Sequence, residues 1–178
     1  MKIFIETERL ILREIIPADE AGFFELDSNP NVHTYLGNNP VKTIEQVREA
    51  IQYIRQQYID HGIGRWAIID KVTNDFIGWT GLKLVKETRN NHTDYYDLGY
   101  RLIERYWDKG IATETAKATL TYAFEVLNLT EVYGICDVAN KGSKNVLEKT
   151  GLKFIETFDL DGVEHNWFKI TKEEWLNT

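Results

Sequence analysis

One cysteine, Cys136, stands in a chain of 178 residues. No internal disulfide can form, and the sequence reads as one for a reducing, cytoplasmic compartment. No apolar run approaches the ~20 residues of a membrane span. The opening Met1-Lys2-Ile3-Phe4-Ile5-Glu6 carries too short an apolar stretch for a signal peptide, so neither membrane nor export is expected. There is no basic surplus either. The formal net charge of −7 argues against nucleic acid as the main partner, which would need a basic face. His33, His61, His92 and His165 fall in no H-x-H, H-E-x-x-H or Cys/His spacing, so no metal site is expected. No G-x-S-x-G indicates a hydrolase triad. The phosphate-binding G-x-x-x-x-G-K-[ST] is absent, and no G-x-G-x-x-G opens a helix.

What is present is a globular balance, 43% hydrophobic and 28% charged, in one domain over residues 1–178 large enough for a continuous core. Residues 7–15 alternate as a first strand. Pro17 suits the first position of a helix running to about Asp27, with Asp19 and Glu20 near its positive end. Asn29-Pro30-Asn31 breaks the chain. Thr43-x-x-Gln46 is a capping box opening a helix whose Ile44, Val47, Ile51, Ile54 and Tyr58 share one face. Gly62 and Gly64 end it. Residues 65–70 and 76–82 read as a hairpin around Lys71-Val72-Thr73-Asn74-Asp75, and 86–94 as a polar loop. Strands at 131–138, 152–158 and 163–170 follow, with a helix from Asn140 to Thr150, Gly151 at its end and a hairpin turn at Asp161-Gly162. Cys136 lies in an apolar-flanked strand, where a structural role outweighs a nucleophilic one.

The organising stretch is residues 97–114. Leu98, Tyr100 and Leu102 alternate as a half-buried strand. At Gly110 the chain enters a helical pattern with Ala112, Ala116, Leu120, Ala123, Phe124 and Leu127 on one face. A strand feeding a glycine turn and a helix N-terminus presents free N–H groups and a favourable dipole to an anion. Gly110 has no Cβ to block close approach, Ala112 is small, and Lys109 adds a cation. The plainer possibility is that Gly110 only starts a helix.

With these elements in order, the chain resembles the GNAT superfamily of acyl-CoA-dependent N-acetyltransferases. The superfamily's pyrophosphate loop, [RQ]-x-x-G-x-[GA], is matched by Trp107-Asp108-Lys109-Gly110-Ile111-Ala112. Trp in the first slot is similar to the branch that acetylates ribosomal-protein N-terminal amines. That branch also shares the opening Thr7-Glu8-Arg9-Leu10-Ile11-Leu12-Arg13, the segment Asn29-Pro30-x-Val32 and the strand pair Gly99-Tyr100. Asn140-x-x-Ser143, followed by Leu147-Glu148-Lys149-Thr150-Gly151-Leu152, resembles the family's N-x-x-S…K-x-G-F. The resemblance implies an α/β fold with a mixed, mostly antiparallel sheet of about seven strands, flanking helices and a splayed central parallel pair, 97–103 and 131–138. It implies acetyl-CoA as cosubstrate. Backbone groups of Leu102 and Ile103 would pair with the pantetheine arm. N–H groups of Lys109, Gly110, Ile111, Ala112 and Thr113 would hold the pyrophosphate. The Asn140 side chain would reach the pantetheine, or else cap the following helix.

Acetyl transfer to an amine needs a neutral amine, donors for the oxyanion and a proton for the departing thiolate. An α-amine, pKa ≈ 7.7–8.0, is roughly a tenth neutral at pH 7, whereas a lysine amine is neutral in well under about a thousandth of molecules; a modest base suffices for the former. Many GNAT proteins supply the acid from a tyrosine four residues beyond the Ser143 slot. Here that slot is Leu147, so Ser143 is the candidate acid, its other role being to cap the helix and its neighbourhood being shared with the cofactor. Asp97 matches the acidic slot of related transferases and is the candidate base, unless it is a solvated strand-end carboxylate; Glu87 is a second candidate. The expected partner is an amine, a protein N-terminus or a small molecule such as a polyamine or an antibiotic. A catalytically silent acyl-CoA-binding module is the other reading. Oligomeric state, a homodimer included, stays open.

Overall fold

The computed structural model describes residues 1–178. Two short strands, β1 (Ile3–Glu6) and β2 (Leu10–Glu14), open it; one 3-10 turn, Pro17–Asp19, then leads into α1 (Glu20–Ser28), and α2 (Ile44–His61) follows. Next come β3 (Arg65–Asp70), β4 (Phe76–Val85), β5 (Tyr95–Leu102), α3 (Ile111–Thr121), β6 (Glu131–Asp137), α4 (Lys141–Lys149), β7 (Lys153–Leu160), β8 (Val163–Thr171) and α5 (Lys172–Leu176). The strands form one sheet in the order β1-β2-β3-β4-β5-β6-β8-β7. Every neighbouring pair is antiparallel except β5–β6. That parallel pair is in register at one point, Asp97 opposite Tyr133, beyond which the strands part.

The sheet has eight strands where about seven are expected. The strand expected at 7–15 shortens to Leu10–Glu14, because Thr7 to Leu10 is a closed turn in which the Thr7 N–H donates to the Leu10 carbonyl. The residues before that turn then pair back as β1. The short α5 has no counterpart in the sequence reading. The capping box at Thr43 and Gln46 is formed, and Asp161 and Gly162 both take positive φ, as a tight hairpin turn requires. The helix expected from Gly110 to Leu127 runs to Thr121 and continues as one π-helical turn, Tyr122–Val126.

Two cores separate the faces of the sheet. Ala116, Leu120, Ala123 and Phe124 from α3 and its extension, with Leu147 of α4, pack on Leu98, Leu102, Val132 and Cys136. On the other face Val47, Ile51 and Ile54 of α2 and Phe23 of α1 cover Ala67 and Ile69. α1 also reaches β4, with Phe23 against Phe76 (ring centroids 5.9 Å apart) and Leu26 in a small cluster with Val32, Ile103, Phe76 and Trp79.

Candidate active site

Where β5 and β6 part, the edge of β5 is exposed to a ligand. Along a strand, backbone groups point alternately to the two neighbours. The Ile103 N–H donates to the Ile77 carbonyl (2.9 Å), so odd-numbered residues of β5 face β4; the Ile103 carbonyl is also taken, by the Tyr106 N–H (2.9 Å). The even-numbered Tyr100 and Leu102 therefore present their groups to the gap. The Leu102 carbonyl accepts from Trp107 Nε1 at 2.9 Å, which is the task of the unusual Trp in the loop motif. The Leu102 N–H and the Tyr100 backbone groups are left at the open edge, and Ile103 is turned away from it.

The turn into α3 has Asp108 at φ 58° and Gly110 at φ 75°. Gly110 is the helix N-cap and supplies no side-chain cap. The first intrahelical bond runs from the Glu114 N–H to the Gly110 carbonyl, so the N–H groups of Ile111, Ala112 and Thr113 lie in the uncapped first turn. A Cβ at Gly110 would have only Arg9 Nη2 within 4 Å, at 3.8 Å. The space over the turn is open, and residues with this donor set fit an anion such as a diphosphate. Lys109 lies over the Tyr106 ring, 5.3 Å from its centre.

At the start of α4, Asn140 Oδ1 accepts from the Ser143 N–H at 3.0 Å. Asn140 is thus an N-cap, with its Nδ2 donors remaining for a ligand. The Ser143 hydroxyl lies 3.1 Å from the Tyr100 hydroxyl, which also reaches the Ser143 carbonyl at 2.9 Å. Burial pushes the Tyr100 phenol well above its usual range, with the hydrogen bond to Ser143 opposing. Sequence reasoning missed this tyrosine: alternation assigned it to the core, and only the pairing of β5 with α4 across the gap reveals its partner. Leu147 is core, seated over Gly134, where a Cβ would come within 2.7 Å of its Cδ2. Cys136 is a buried free thiol, pushed upward by burial.

The opposite face of the gap carries charge in pairs. Arg65 donates to Asp97 Oδ2 and to the carbonyls of Gly81 and Asp97. Gly99 makes room for it, since a Cβ there would lie 2.6 Å from Arg65 Nη2. Asp97 Oδ1 is buried with no partner. Arg101 binds Asp27 at 2.7 Å, and His33 lies 3.7 Å from the same carboxylate. Both guanidiniums stand over the Trp79 ring, at 5.3 and 5.0 Å. Burial, then Arg101, hold the His33 imidazole below its usual range. The Asn29-Pro30 segment is fastened to the same region: Asn29 and Asn31 donate to Glu104 at 2.7 and 3.0 Å, which holds that carboxyl below the usual range. Glu87 sits outside these pairs, in the loop before β5; its own backbone N–H lowers its carboxyl.

Comparison with known proteins joins these features. An acetyltransferase (GNAT) domain model matches residues 9–153. The chain is 30% identical over 149 residues to the uncharacterized N-acetyltransferase YoaA of Bacillus subtilis, covering 84% of this chain and 82% of that one. A GNAT-family acetyltransferase structure from Bacillus anthracis superposes with a TM-score of 0.80 at 25% identity, over 96% of this chain and 99% of that one. The fold is also that of a spermidine N-acetyltransferase from Vibrio cholerae, solved with CoA and spermine (TM-score 0.76, 20% identity, 96% and 100% covered). The chain belongs to the GNAT acetyltransferase family.

Proposed function

We propose that residues 1–178 form one catalytic domain that transfers the acetyl group of acetyl-CoA to an α-amine, in the cytoplasm, with a protein N-terminus as the acceptor class. The observation that carries the acceptor class is the pairing of Asp27 with Arg101 and of Asp97 with Arg65. A polyamine bears several positive charges and needs unpaired carboxylates; here the central ones are already neutralised. An α-amine is partly neutral at pH 7 and asks only for a weak proton acceptor.

In this reading the N–H groups of Lys109, Gly110, Ile111, Ala112 and Thr113 hold the diphosphate. The Leu102 N–H and Tyr100 backbone groups pair with the pantetheine, in place of Ile103. Asn140 adds its Nδ2 donors. Acetyl-CoA supplies a thioester whose C–S bond breaks as the new N–C bond forms. Asp97 Oδ1, the free oxygen of the pair, takes the amine proton directly or through water. The Ser143 hydroxyl, backed by the Tyr100 hydroxyl, gives a proton to the leaving sulfur. The fold adds the rest by positioning.

The test is thiol release from acetyl-CoA with a panel of N-terminal peptides, spermidine and aminoglycosides. Turnover with peptides at least tenfold above that with spermidine is expected. Faster turnover of spermidine overturns the acceptor class. Tight coenzyme A binding without turnover of any amine favours the silent binding module.

A further inference from the structure

The opening motif Thr7-Glu8-Arg9-Leu10-Ile11-Leu12-Arg13 has no task in the site as described, yet its first arginine ends beside the glycine turn. Arg9 Nη2 donates to the Lys109 carbonyl at 2.8 Å, and Arg9 Nε donates to Glu114 Oε2 at 2.7 Å. The Thr7 hydroxyl donates to the other oxygen, Glu114 Oε1, at 2.6 Å. Residues about a hundred positions apart are thus tied at both ends of the turn, at Lys109 before Gly110 and at Glu114 after it.

The anchor itself is fixed. Thr7 Oγ1 accepts from the Leu10 N–H (3.1 Å), Lys71 Nζ donates to the Thr7 carbonyl (2.6 Å), and the Lys71 N–H donates to the Arg9 carbonyl (3.0 Å). Arg13 serves the other end of the motif, gripping Asp19 with two nitrogens at 2.8 and 2.7 Å.

Two physical consequences follow for an anion over the turn. The Lys109 carbonyl, whose negative end would repel a phosphate, is drawn toward Arg9. The Glu114 carboxylate lies in the first turn of α3 and would also repel the ligand; Arg9 neutralises it at the place where the helix dipole favours negative charge. We infer that Arg9 is a positioning residue for the diphosphate turn, holding it open through Lys109 and cancelling the charge of Glu114. This rests on the reading that the turn binds the diphosphate of coenzyme A.

Calorimetry with coenzyme A on the purified protein, paired with melting temperatures, tests it. Arg9→Ala should weaken binding on the order of tenfold. Arg9→Lys, which keeps the charge but not the fork, should fall between Arg9→Ala and wild type. Arg9→Ala/Glu114→Gln should recover part of the loss, because the unpaired carboxylate is gone. A purely structural arginine gives no such recovery. In kinetics, the ratio of kcat/KM for acetyl-CoA to that for acetyl-pantetheine, which lacks the diphosphate, should fall by a similar factor in Arg9→Ala. If wild type binds coenzyme A and folded Arg9→Ala binds it equally well, the inference is overturned while the site stands. If Glu114→Gln restores nothing, the charge argument is overturned. If wild type fails to bind coenzyme A, the reading of the turn itself is lost.

Discussion

Replacing Asp97 by Asn separates a base from a structural ion pair. The side chains of Arg65 and Asp97 are 12% and 13% exposed, so the pair is largely desolvated. Removing one partner of a buried pair costs about 3–5 kcal/mol when nothing replaces it. Here the amide oxygen keeps one hydrogen bond, and Arg65 retains the carbonyls of Gly81 and Asp97. The loss then falls to about 1.5–3 kcal/mol, the range for a hydrogen bond to a charged group. In a domain of this size each kcal/mol moves the melting temperature by roughly 2–4 °C, which gives a fall of about 3–12 °C. The rate should respond in its own way. With the base gone, turnover waits for amine that is already neutral, a fraction that grows about tenfold per pH unit below the amine pKa of ≈ 7.7–8.0. The deficit in kcat/KM for a peptide acceptor should be on the order of 10-fold to 100-fold near pH 6.5 and shrink toward pH 8.5. Arg65→Lys is the control, disturbing the pair but keeping the carboxylate. A pH–rate profile for Asp97→Asn parallel to wild type, with only the melting temperature lowered, refutes the assignment of Asp97 as base.

Gly110→Glu puts a Cβ and a negative charge over the uncapped first turn; coenzyme A affinity by calorimetry should drop at least tenfold, about 1.4 kcal/mol. Ser143→Ala should lower kcat on the order of 10-fold to 100-fold with little change in coenzyme A affinity. Tyr100→Phe should do likewise, and the double variant should lose no more than the worse single, since two hydroxyls in one relay are not additive; independent losses would show separate roles. Asn140→Ala should raise KM for acetyl-CoA more than it lowers kcat, whereas a change in thermal stability alone would leave only the N-cap. His33 is held below its ordinary pKa of 6.5 by burial and Arg101, so the unfolded chain takes up a proton that the folded protein refuses. Stability should therefore decline as pH falls below about 6.5, and His33→Asn should flatten that decline in urea titrations.

Most of the fold was legible because its signals are local. The alternation of Leu98, Tyr100 and Leu102, the capping box at Thr43, and the Asp161-Gly162 turn each act within a few residues, and each is found where expected. What was not legible depends on pairing. Ile3–Glu6 is only four residues long and becomes a strand because Leu10–Glu14 turns back on it. Alternation predicts that one face of β5 is buried, but not that Ile103 points its N–H at Ile77. That parity is set by the register with β4, and it moves the open edge from Ile103 to Tyr100.

The same distinction governs the site. Gly110, Asn140 and Ser143 were legible as a turn, a cap and a hydroxyl because each motif is contiguous. The contacts that complete them are not: Asp97 meets Arg65, Arg101 meets Asp27, Tyr100 meets Ser143 and Arg9 meets Glu114 across separations of 32, 74, 43 and 105 residues. Three of these four involve a residue of β5, the strand at which the parallel ladder opens. β5 is therefore more than an edge for a ligand. On one face it carries Asp97 and Arg101, each paired with an opposite charge, and on the other it sets the Tyr100 hydroxyl against Ser143. In the proposed reading, an acceptor that meets Asp97, directly or through water, does so past paired charges rather than free ones. Paired charges attract a polycation less than free carboxylates would, and in that reading this is the reason to test singly charged α-amines, about a tenth neutral at pH 7, before polyamines.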